Sequence, residues 1–172
     1  MNASSEGKPG PVTKRTTVER KSDREVVITR TINGAARIVF EAFTKAELFR
    51  RWWVPKSMGM TLLSCELDAR VGGKYRLTFD VGGPEPIAFF GTYVEVTPHA
   101  RLAWTNEEGG EDGPVTTVTF EEQGGKTRVV LCESHPSKEA LDAAGTGAAE
   151  AMSETFDQLD ELLVALGESS GQ

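Results

Sequence analysis

The chain has 172 residues, 38% of them hydrophobic, and a formal net charge of −7. That is one domain's worth of sequence, long enough to bury a core without disulfide or metal staples. The acidic balance argues against nucleic acid as a partner, since phosphate binding needs a basic face, and the absence of any apolar run near 18 residues excludes a transmembrane helix and membrane insertion through one.

Residues 1–22 are rich in Ser, Gly, Pro, Lys and Glu and nearly devoid of large apolar side chains. Such a segment buries too little surface to offset its ordering entropy, so it is expected to be a disordered tail. It lacks an apolar h-region, which points to a cytoplasmic protein. The basic cluster Lys14, Arg15, Arg20, Lys21 and Arg24 reads as solvated charge. The folded domain is expected over residues 23–167, with a polar C-terminal tail at 168–172.

The first predicted element is a strand over Glu25–Ile32, where Val26, Val27, Ile28 and Ile32 suit a half-buried pleated surface. Asn33-Gly34 breaks it, and Asn33 is a candidate helix cap. Ala36, Val39, Phe40 and Phe43 then recur at helical spacing. Thr44, with Glu47 three residues on, predicts a capping box opening a second short helix over Lys45–Trp52, stopped by Pro55.

From Met60 to Glu133 the period becomes that of strands: Thr61–Leu67, Lys74–Asp80, Ile87–Thr97, Arg101–Asn106, Val115–Glu121 and Thr127–Ser134. Glycine-rich turns such as Gly72-Gly73 and Gly124-Gly125 separate them, so the strands should form antiparallel hairpins. In Lys74–Asp80, Tyr75, Leu77 and Phe79 alternate with polar residues, leaving one face covered and one wet. Beyond Ser137, with a weak point at Gly145-Thr146-Gly147, the chain turns helical to about Leu166. Ala148, Met152, Phe156, Leu159, Leu163 and Leu166 form the apolar stripe, the acidic residues Asp157 and Asp160 lie mostly off it, and Gly167 is the expected stop.

One helix offers an apolar stripe about 10 Å wide, whereas six or seven strands at about 4.8 Å each are several times broader. The sheet must therefore curl around the helix, and the interior gap left over is a concave apolar site. The predicted fold is α+β: one strand, two helices, six strands and a long C-terminal helix around which the antiparallel sheet curves.

The order of motifs also resembles a known family. Ala36-x-x-Val39-Phe40-x-Ala42-x-Thr44 is followed by Trp52-Trp53-x-Pro55, then by Asp68-x-Arg70-x-Gly72-Gly73-x-Tyr75-Arg76. Gly91-x-Tyr93-x-Glu95-Val96-x-Pro98-x-x-Arg101-Leu102, the Val118–Phe120 and Thr127–Leu131 strand pair, and Phe156-x-x-Leu159-x-x-Leu162 complete it. The pattern is similar to the activator-of-Hsp90-ATPase-like (AHSA1-like) domains of the START/Bet v 1-like (SRPBCC) superfamily. That resemblance implies a helix-grip (Bet v 1/START-like) fold and the polyketide-cyclase-like or ligand-transport role by which family members are often described, although many single-domain members have no assigned activity. Where the family usually carries Gly-Trp on the last helix, this chain has Ala151-Met152, which should reshape the cavity mouth.

These readings converge on a binding module for an apolar small molecule, contacted by Trp52, Trp53, Tyr75, Leu77, Phe79, Phe90, Trp104, Met152 and Phe156. Catalysis has less support. Ser134-His135 lacks a glycine elbow, and only an inward-pointing Glu66 or Glu133 would supply a buried acid. A cyclase- or hydrolase-type enzyme in the same cavity is one alternative reading; a co-chaperone-like or homodimeric interaction module using Ile87 and Phe89 is another. Cys65 and Cys132 read as reduced thiols, Asp68 and Arg70 as an ion pair pinning their turn, and the Gly72-Gly73 turn lacks the following helix that phosphate binding requires. His99 and His135 show no metal-ligand spacing, so neither metal nor cofactor is expected.

Overall fold

The computed structural model describes residues 16–108, 110, 113–145 and 147–169. The elements are β1 (Thr17–Arg20), β2 (Glu25–Ile32), α1 (Ala36–Thr44), α2 (Ala46–Phe49), β3 (Thr61–Leu67), β4 (Lys74–Asp80), β5 (Ile87–Thr97), β6 (Arg101–Thr105), β7 (Val115–Gln123), β8 (Lys126–Ser134), α3 (Lys138–Ala144) and α4 (Gly147–Ser169). A 3-10 turn, Lys56–Met58, lies between α2 and β3.

The strands form one antiparallel sheet in the order β1-β2-β8-β7-β6-β5-β4-β3. Strands β3 to β8 are a meander. β2 leaves it through α1 and α2, so the two halves of the sheet meet where β2 pairs with β8. Alternation sets the inner face: Val26, Ile28 and Ile32 on β2, Tyr75, Leu77 and Phe79 on β4, and Val129 and Leu131 on β8 are all buried. Phe156, Leu159, Leu162 and Leu163 of α4 close the core from the other side. The fold is the α+β helix-grip expected.

The two sets of helices divide the sheet between them. α4 lies over β1 and β2, α1 over β7 and β8, and α2 against β3. The helices thus cover the sheet chiefly at β1 to β3, β7 and β8, and space remains toward β4 to β6.

Several local expectations are corrected. Ordered structure begins before Glu25: Thr17–Arg20, inside the stretch expected to be a disordered tail, pairs with β2 from Thr17↔Thr29 to Arg20↔Val26. Residues 1–15 and 170–172 of the expected tails lie outside the described residues, as does Thr146 of the weak point; so does the side chain of Ala148. Neither proposed cap acts as one. Asn33 donates its backbone N–H to Asp160 Oδ1, and Thr44 Oγ1 donates to Phe40 O. The first N–H of α1 is satisfied by Glu122 Oε1 on β7 instead, at 2.9 Å. The second helix is a single turn, because the chain must swing from α2 into the 3-10 turn to bring Trp52 into the core. The terminal helical region splits at Gly145 (φ 69°), with α3 capped by Ser137 Oγ, and α4 runs past Gly167 to Ser169.

A candidate ligand pocket between sheet and helix

The stretch 52–60 crosses from α2 to β3 over the open part of the sheet, and α4 fixes it there. Gln158 Nε2 donates to Trp52 O (2.9 Å) and Val54 O (2.8 Å), while its Oε1 accepts from Lys56 N (2.9 Å). Glu154 accepts from Ser57 N at 2.9 Å. Two polar side chains one helical turn apart thus satisfy the backbone of an irregular segment, which otherwise has no ladder partner.

Beneath this roof is a pocket of about 480 Å³. Its floor is the inner face of the sheet (Ile28, Phe79, Phe89, Trp104, Leu131), its roof Trp53, Val54, Pro55, Met58 and Met60, and its side the N-terminal half of α4 (Ala151, Met152, Thr155). An adjoining recess of about 80 Å³ shares Trp53, Phe89 and Trp104 and reaches Tyr75, Leu77 and Tyr93.

Six of the nine residues expected to contact a ligand line this space: Trp53, Tyr75, Leu77, Phe79, Trp104 and Met152. Three do not. Trp52 and Phe156 are fully buried and face each other in the core, with ring centroids 6.3 Å apart, and Trp52 Nε1 donates to Ala42 O. Phe90 lies on the opposite sheet face, where the Arg76 guanidinium sits 5.4 Å from its ring. Its neighbour Phe89 takes the inner position, paired with Leu77. Two adjacent phenylalanines carry no alternation of their own. The signal was Gly91: it stands opposite inward-facing Tyr75, which places Phe89 on the same face as Gly91.

The pocket has a polar end that the apolar pattern did not reveal. Across the inner face the register aligns Tyr93, Trp104, Thr116, Glu133 and Val26 in one row over β5, β6, β7, β8 and β2. Asn106 joins it: its Nδ2 donates to Pro114 O (2.9 Å) and Thr116 Oγ1 (3.0 Å), and its Oδ1 lies 3.1 Å from the Tyr75 hydroxyl. That hydroxyl is also 2.8 Å from Thr105 O. Burial first, then the Glu108 carboxylate, push the Tyr75 pKa well above its ordinary value, so the phenol stays a donor. Glu108 also lines the pocket and accepts from Phe90 N at 3.2 Å.

Of the groups weighed for acid–base chemistry, Glu66 and His99 are exposed, and Glu66 stands opposite Arg76 in the strand register, on the outer face. Glu133 lines the pocket, and the buried His135 holds its Oε1 at 3.2 Å from Nε2. Asp68 accepts from Arg70 Nε, as expected, in an exposed pair. Among the described residues no group of His, Cys, Asp or Glu could hold a metal ion, and no helix is long and apolar enough to cross a membrane.

A curved antiparallel sheet gripping one long helix over such a pocket defines the Bet v 1/START-like class of domain. More narrowly, residues 34–164 match the model for the activator of Hsp90 ATPase homolog 1-like proteins, and the chain belongs to that family. Solved structures agree on the fold. A Rhodobacter sphaeroides protein superposes with a TM-score of 0.79 at 20% identity, over 88% of this chain and 99% of its own. A Mycobacterium smegmatis protein gives 0.74 at 24%, with the same coverage. An AHSA1-like protein from Aeromonas hydrophila gives 0.61 at 20%, over 82% of this chain and 94% of its own. A search among curated proteins finds no match.

Proposed function

We propose that this chain is a small-molecule binding module that holds an apolar or amphipathic ligand between α4 and the inner face of β4 to β8. The observation that carries this reading is the pocket of about 480 Å³. Its size lies within the range typical of ligand sites, roughly 300–1,000 Å³, and its walls combine aromatic surface with a few convergent polar groups. A space of that size lined by side chains that do not meet forfeits dispersion contacts; an apolar occupant restores them and removes its own surface from water, worth about 25 cal/mol per Å² before the entropy of binding is subtracted.

The test uses two of the chain's own chromophores. Trp53 and Trp104 both line the pocket, so titration with neutral aliphatic and aromatic alcohols should change tryptophan emission saturably, with one-to-one stoichiometry by native mass spectrometry. Absence of saturable binding across that whole panel refutes the reading.

A further inference from the structure

We infer that the ligand is an amphipathic organic cation, an aromatic or aliphatic amine, rather than a fatty acid or other apolar anion. This rests on the ligand-binding reading above and adds the charge of the occupant to it. The charged side chains that line the pocket and its recess, among the described residues, are Glu108 and Glu133; no Lys, Arg or His side chain lines either. An anionic head group entering here would lose its hydration, find no cation to accept it and face two carboxylates. A protonated amine meets the opposite situation.

The register gives that amine a place. Glu133 is directly across from Thr116, and Thr116 from Trp104. Two strand spacings of about 4.8 Å put Glu133 and Trp104 about 10 Å apart on one face. An ammonium between them sits at about 4 Å from the carboxylate and within about 6 Å of the indole, the distances at which an ion pair and a cation–π contact both operate. The Thr116 hydroxyl lies between the two and accepts from Asn106 Nδ2 at 3.0 Å, which leaves its second lone pair for an N–H donor. His135 engages only Oε1 of Glu133; Oε2 has no hydrogen-bond partner among the described residues. Phe79 and Phe89, with rings 5.3 Å apart, supply the apolar end for the body of the molecule.

The experiment is calorimetric titration of the full chain at neutral pH with three probes of one shape: naphthylmethylamine, naphthylmethanol and naphthoate. The expected order is ammonium, alcohol, carboxylate, with the ammonium at least about tenfold tighter than the carboxylate. Glu133→Gln should shrink the ammonium-to-carboxylate ratio several-fold. Equal affinities, or a preference for naphthoate, would overturn the charge assignment while leaving the pocket a ligand site. Failure of all three to bind would overturn both. An unchanged ratio in Glu133→Gln would likewise sink the assignment to this carboxylate, and the charge series on the unaltered chain decides the matter even if that variant folds poorly.

Discussion

Arg30 Nη2 lies 2.9 Å from Oδ2 of Asp160, joining the inner face of β2 to the buried side of α4. Arg30 is fully buried among Val26, Ile28 and Ile32, and its guanidinium also reaches Asp157 Oδ1 (2.7 Å) and Thr16 Oγ1 (2.8 Å), while Nε has no partner among the described residues. Asp160 accepts from Asn33 N as well, so both charges are held by several bonds. Removing Asp160 leaves the buried guanidinium only the half-exposed Asp157 carboxylate as a counter-charge. Asp160→Ala should cost about 3–5 kcal/mol in urea unfolding. Asp157→Ala should cost less than about 1 kcal/mol, because that carboxylate is half-exposed. The double replacement Arg30→Met with Asp160→Leu should recover most of the loss.

Gln158 makes three hydrogen bonds to the backbone of residues 52–56. Gln158→Ala removes all three and leaves partly buried carbonyls without donors, so stability should fall by about 2–3 kcal/mol. Amide exchange should accelerate selectively at Lys56, whose N–H Gln158 accepts, ahead of the β-sheet amides. Uniform acceleration across the chain would contradict the role given to this residue.

Met152 stands in the pocket wall on α4. Met152→Trp places a larger, more rigid ring there, and because the pocket is wide enough to take it the stability change should stay below about 1.5 kcal/mol. Binding of the neutral alcohol probe should weaken at least about tenfold, as read by tryptophan emission or calorimetry.

At Gly91 a side chain has nowhere to go. A Cβ there would stand 1.8 Å from Thr105 O and 2.8 Å from Tyr75 Cε2. Gly91→Ala must push β5 away from β6 or rotate the Tyr75 ring off its bond to Thr105, and a loss of about 3–5 kcal/mol is expected in thermal or urea unfolding. Gly83→Ala, in a loop with open space around it, is the matched control and should change stability by less than about 0.5 kcal/mol.

Alkali should weaken the fold through its thiols. Burial, opposed by Arg50 and aided by Glu66, pushes the Cys65 thiol up to about 11 from an ordinary value of 9.0; burial raises Cys132 in the same direction. The folded state therefore keeps its proton where the unfolded state has already lost it. Stability is full below pH 9.0 and declines as pH rises toward about 11. The urea midpoint should fall over that window, and the fall should be shallower in Cys65→Ser. A midpoint that rises with pH would reverse the sign and refute the assignment.

Much of this fold was legible because its strands obey a period of two. Glu25–Ile32, Lys74–Asp80 and Ile87–Thr97 lie where alternation and turn glycines place them. What the pattern missed was decided by contacts distant in the chain. β1 has a polar sequence and gains its order from the β2 edge and from Arg30. The cap at Asn33 was displaced because Glu122, far away in sequence, takes the α1 terminus, and Thr44 turns its hydroxyl back to Phe40 O in the preceding helix. Asp160 was read only as lying mostly off the apolar stripe, because its cationic partner sits on a strand whose other inward-facing residues are aliphatic. In the pocket, the aromatic lining was readable from Tyr75, Phe79 and Trp104, whereas the polar row through Thr116 and Glu133 depends on the register of three strands, which no single-strand pattern supplies.

The short strand β1 is also a guard. β2 would otherwise present its free N–H and C=O groups to solvent along residues 26–29, and bare edges of this kind template the addition of foreign strands. A shortened version of the chain starting at Glu25 would lose that shield together with the Thr16 hydroxyl that helps seat Arg30. Such a truncation would turn a covered edge into adhesive backbone, so the four residues of β1 act as a safeguard against strand addition at that edge.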